Sequence, residues 1–81
     1  MEFEFEFSKH AKIMLKERNI AEELVRDTLL TSMFRDIGSD GNIHYFKSVP
    51  EYGGKVLRVI VNPNMKPPRI VTVFFDRRKK K

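Results

Sequence analysis

Polar and hydrophobic residues alternate strictly at the start of the chain. Glu2, Glu4 and Glu6 interleave with Phe3, Phe5 and Phe7, a period of two that predicts a strand with one buried and one wet face. Three glutamates on the wet face discourage pairing with another chain. Ser8 is a good N-cap, and the period then lengthens. Ala11, Met14 and Leu15 fall on one face of a helix predicted over Lys9 to Arg18. Asn19 can take the left-handed conformation that ends a helix. A second helix is expected from about Ala21 to Leu30, with Glu22 and Glu23 at its positive end and Leu24, Val25, Thr28 and Leu29 as its buried stripe. So short a break makes the two helices a hairpin.

Met33 to Ile37 reads as a short strand, and Gly38 to Asn42 as a turn by its Gly, Ser, Asp and Asn content. From Asn42 to Phe75, three runs rich in Val, Ile, Phe and Tyr are separated by Pro/Gly/Asn segments, which predicts an antiparallel meander. The order is β-α-α-β-β-β-β, an α+β fold with a helical hairpin on one face of a mostly antiparallel sheet. The first strand must join the meander beside a strand that the pattern does not identify.

Strand parity sorts the side chains. Leu57, Val59 and Val61 form a wholly apolar set, the natural helix-facing side, which leaves Arg58 on the open face. Both parities of the last strand are apolar, so it is expected inside the sheet. The strand from Ile43 to Val49 has two registers. Either His44 and Phe46 share the face of Arg58, or Tyr45 and Lys47 do, and a one-residue slip in the turn at Pro50 to Gly54 exchanges them. The second is the expected choice, because the first carries Lys47 toward the core and a buried lysine is costly.

Eighty-one residues suit one domain, taken as 1–76, with a basic tail at 77–81. A chain this short favours a shallow groove over an enclosed active site. Hydrophobic residues are 41% and charged residues 33%, as in ordinary soluble domains. No apolar run approaches the roughly 20 residues that cross a bilayer, and no secretory leader is recognisable. Cysteine is absent. A cytoplasmic protein is expected, with no membrane partner. The net charge is +5; five of the 16 basic residues are Arg77 to Lys81, and the remainder equal the 11 acidic residues. A basic end favours nucleic acid or an acidic partner through its field.

Arg58, mid-strand on an open face, needs an anionic partner: a carboxylate such as Asp36 or Glu51, or an external phosphate. His44 and Tyr45 are acid/base candidates on the sheet, with half-buried packing as the plainer alternative. His10, near the start of the first helix, is a candidate base or phosphate contact; the alternative is a histidine packed at the helix–sheet junction. Two histidines 34 apart without cysteine make a metal centre unlooked for, and Asp36 to Lys47 departs from a calcium loop at its third and twelfth positions. No cofactor motif is present.

Ser8-Lys9-His10-Ala11, followed by Arg18-Asn19-Ile20 and an acidic helix start, resembles the bacterial domain family of unknown function marked by Ser-x-His-Ala-x-x-Arg-Met-x-x-Arg-Gly-Ile. Val71-Thr72-Val73 also fits its strand pattern. That family is placed beside the RelE/ParE toxins and has a RelE-like β-α-α-β-β-β order. The resemblance implies a metal-independent endoribonuclease of a toxin–antitoxin system, acting on free RNA or on the ribosome and held by a small antitoxin. By that analogy Arg58 stabilises the phosphorane with help from Lys47, Tyr45 or His44 is the acid/base, and Arg69, Arg77, Arg78 and Lys79 hold the RNA, with His10 and Arg18 as further candidates from the motif. The chain departs from the pattern at Met14, where the family has Arg, and at Asn19, where it has Gly. At its end, Asp76-Arg77-Arg78-Lys79 stands where RelE-type enzymes usually carry a Tyr or His. The alternative is therefore a non-catalytic domain that binds RNA, the ribosome or an acidic protein.

Overall fold

A five-stranded sheet carries two helices on one face. In the computed structural model the described residues are 5–32 and 34–80, with 34 and 77–80 described by backbone alone. The elements are β1 (Glu6–Phe7), α1 (Lys9–Arg18), α2 (Glu22–Thr31), β2 (Phe34–Ile37), β3 (Ile43–Val49), a 3-10 turn (Pro50–Tyr52), β4 (Lys55–Asn62) and β5 (Arg69–Lys80). The order and the α+β class are those expected. Phe5 and Phe7 pack against the core while Glu6 is exposed, as the alternation requires; the Glu2, Phe3 and Glu4 positions and Met33 lie outside the described residues.

The strand order is β1-β5-β4-β3-β2. β1 lies parallel to β5, with Glu6 beside Arg69 and Phe7 beside Ile70, and every other pairing is antiparallel. β5 is thus an interior strand, flanked by β1 and β4. Its backbone runs on through residues 77–80, which continue the strand.

Local chemistry sets the helix ends. The Ser8 hydroxyl accepts from the Ala11 N–H at 3.0 Å and donates to the Val71 carbonyl at 3.2 Å, so one side chain caps α1 and fastens it to β5. Asn19 closes α1 at φ 60°, its N–H directed back to the carbonyls of Leu15 and Lys16. α1 lies on β5 and α2 on β3 and β4. Ala11, Leu15, Val25 and Leu29 meet Tyr45, Leu57, Val59 and Val73 in the core. Leu57 is fully buried, a burial that stabilises by about 1.5–3 kcal/mol.

The register of β3 on β4 corrects the expected choice. Phe46 is the partner of Arg58, and Lys47 the partner of Leu57. The turn Pro50–Gly54 closes with the Gly54 N–H on the Val49 carbonyl at 3.1 Å, with Gly53 and Gly54 at positive φ. Val49 therefore faces Lys55, and that parity sends Tyr45 and Lys47 to the helix side. The desolvation argument against Lys47 there fails because α2 supplies its partners. The ammonium is paired with the Asp27 carboxylate and donates to the Thr31 hydroxyl at 2.8 Å.

Candidate functional site

The open face is built from alternate residues of four strands. Register places Phe46, Arg58 and Phe74 in one row and His44, Ile60 and Thr72 in the next, with Asp36 beside His44. The Arg58 guanidinium carbon lies 4.6 Å from the Phe46 ring centre and 5.7 Å from that of Phe74, within cation–π range of both.

Arg58 has its carboxylate within the chain, and it is neither Asp36 nor Glu51. The Nη2 atom lies 3.1 Å from Oδ2 of Asp76, whose side chain is only 6% exposed. Asp76 is the partner of Val56 and so shares the open face. Strand parity holds the signal that finds it: Asp76 follows Phe74 by two and closes the apolar run. The Arg58 Nε is buried and makes no hydrogen bond.

His44 stands on the same face as Arg58, with Nε2 at 3.6 Å from Oδ1 of Asp40. That carboxylate also accepts from the Asn42 N–H at 3.0 Å and from its side-chain amide at 3.2 Å. The Asn42 backbone N–H chiefly, against opposing desolvation and with help from His44, lowers the Asp40 pKa. Gly38 makes this approach possible. A Cβ there would stand 2.6 Å from the His44 Nε2 and 2.8 Å from the Asp40 Oδ1.

The remaining candidates scatter. Tyr45 is buried in the core and Lys47 sits under α2, both on the face opposite Arg58. Arg69 pairs with Glu6 at 3.3 Å near the β1 edge. His10 is exposed near the start of α1 rather than packed at the helix–sheet junction. Arg18, the last residue of α1, lines a cavity of about 160 Å³ with Lys55, Phe75 and Asp76. Arg77, Arg78 and Lys79 lie on β5 between the ladder pairs Val56–Asp76 and Lys55–Lys80. Their side chains are outside the described set. A broader cleft of about 530 Å³ lies at the helix–helix junction, bordered by Lys12, Lys16, Ile20, Glu22 and Tyr52. Among the described residues no group of His, Cys, Asp or Glu is placed to hold a metal ion. No helix there is long and apolar enough to cross a membrane.

A family model described as Domain of unknown function (DUF4258) matches residues 7–75. The chain belongs to the DUF4258 family. No curated protein and no solved structure matches it. The DUF4258 match runs from the second residue of β1 to one residue short of Asp76. It therefore spans the helical hairpin, the meander and the whole Phe46–Arg58–Phe74 row.

Proposed function

We propose that this DUF4258 protein is a non-catalytic, cytoplasmic binding domain for single-stranded RNA, free or on the ribosome, and a relative of the RelE/ParE toxins that lacks their chemistry. The element order β-α-α-β-β-β-β supports that kinship. The observation that carries the non-catalytic reading is the separation of the four candidate catalytic residues. Cleavage at a ribose 2′-hydroxyl needs an acid/base and a charge stabiliser around one reacting phosphate. Here Tyr45 and Lys47 stand behind the sheet, committed to the core and to Asp27, while Arg58 in front is committed to Asp76. RNA is favoured by the net charge of +5 and by a half-buried Phe74 beside the Arg58 guanidinium, a surface suited to base stacking. An antitoxin partner belongs to the toxin reading alone.

A second reading, the metal-independent endoribonuclease, has one supporting observation: His44, with Nε2 3.6 Å from Asp40, shares the face of Arg58. One experiment separates the two. Purified protein is titrated into labelled single-stranded RNA across a salt series, and the RNA is then run on a denaturing gel. The binding reading expects affinity that falls with salt and intact RNA. Cleavage lost in His44→Ala would overturn it in favour of the nuclease. Salt-independent binding, or none, would remove RNA as the ligand.

A further inference from the structure

We infer that the cavity between Arg18 and Lys55 is a phosphate subsite, the place where the backbone of a bound single-stranded RNA is anchored. This rests on the RNA-binding reading and moves its electrostatic centre from the open face to one end of the sheet. Three strand cations are already neutralised: Arg58 by Asp76, Arg69 by Glu6, and Lys47 by Asp27. Arg18 and Lys55 are both exposed, and neither has a carboxylate within ion-pair distance among the described residues. They come from elements far apart in sequence, the end of α1 and the start of β4, and converge on one cavity of about 160 Å³. Its acidic wall, Asp76, is countered by Arg58 at 3.1 Å, so the pair brings little net charge.

Residue type reinforces the site. The β5 backbone leaves Asp76 and continues through the basic positions 77–80, and Lys80 is the ladder partner of Lys55. This end of the sheet thus carries Lys55 and the basic positions 77–80 together, an arrangement that concentrates a polyanion. The wider cleft at the helix junction is a weaker candidate, because Glu22 shares it with Lys12 and Lys16.

The test compares Arg18→Gln/Lys55→Gln with Lys12→Gln/Lys16→Gln, which removes equal charge from exposed positions elsewhere. The probe is a short oligouridylate without a terminal phosphate, so only backbone phosphates are offered. Circular dichroism checks that both variants are folded. The first variant is expected to bind roughly tenfold more weakly, as loss of charge-assisted hydrogen bonds would produce. Its salt dependence should be shallower by about 0.7 in log–log slope, for one lost phosphate contact. The second should stay within about twofold. Equal weakening in both variants would overturn the subsite and leave a diffuse field. Wild-type affinity in the first variant would overturn the subsite while the RNA reading stands. A wild type that binds no oligouridylate would overturn both.

Discussion

Lys47 and Arg58 are neighbours across the β3–β4 ladder, yet they point to opposite faces of the sheet, and each finds an aspartate. Their own exposures are close, 24% and 20%, while the partners differ: Asp27 is 51% exposed and Asp76 6%. The carboxylate therefore decides what each pair is worth. Asp27 stays hydrated on α2 whether or not Lys47 reaches it, so little is lost on separation. Asp76 is desolvated, and taking a facing cation away from a desolvated carboxylate is costly. The pair in front of the sheet is thus structural, and the one behind it is a peripheral tie between helix and strand.

The largest effect expected from this difference is on the open face. Arg58→Ala removes the cation 3.1 Å from the buried Asp76 carboxylate and should destabilise by about 1.5–3 kcal/mol in urea unfolding, as loss of a hydrogen bond to a charged group does. Arg58→Met/Asp76→Leu, which removes both charges and keeps volume, should recover most of that loss. If Arg58→Ala unfolds at the wild-type midpoint, the Arg58 cation contributes nothing to the stability of Asp76 and the contrast between the faces collapses. The same result would also release Arg58 to act on a phosphate, reviving the nuclease reading.

Behind the sheet the effect should be smaller. Lys47→Met breaks the contacts to Asp27 and Thr31 but keeps an apolar stem over the core edge. A change of less than about 1 kcal/mol is expected, shrinking further in high salt. A loss as large as that of Arg58→Ala would mean that the two pairs are energetically alike and that exposure of the carboxylate is a poor guide.

These pairs also mark where the sequence was legible and where it was not. Changes of hydrophobic period, Ser8 and Asn19 locate the elements, because caps and periodicity act within a few residues. The helix-facing set Leu57, Val59 and Val61 is visible for the same reason. The face of Lys47 is not, because its cost is cancelled by Asp27, twenty positions earlier and on another element. A parity argument weighs a lysine against the core but does not know what the opposite layer offers. Asp76 escapes notice as the partner of Arg58 for a related reason: residue type alone offers Asp36 and Glu51, whereas cross-strand register chooses the partner. The place of β1 beside β5 is likewise a long-range fact, since alternation states which face is wet and says nothing of the neighbour.

The smallest effect tests Asp40, the carboxylate 3.6 Å from His44. The Asp40 carboxyl is held below its ordinary value, chiefly by the Asn42 N–H and further by His44. A carboxyl with a depressed folded pKa contributes stability above its unfolded value of about 3.9, and that contribution is lost as pH falls through the folded value. Asp40→Asn keeps an oxygen for the Asn42 N–H but removes the charge facing His44. Wild type should therefore be the more stable of the two near neutral pH, and the gap should close on acidification below the ordinary carboxylate range. Urea midpoints of both proteins across that range read it directly. A gap that stays constant would assign the role of Asp40 to turn geometry alone. A gap that closes would show that the charge on Asp40, held chiefly by the Asn42 N–H, is itself what steadies the turn beside His44.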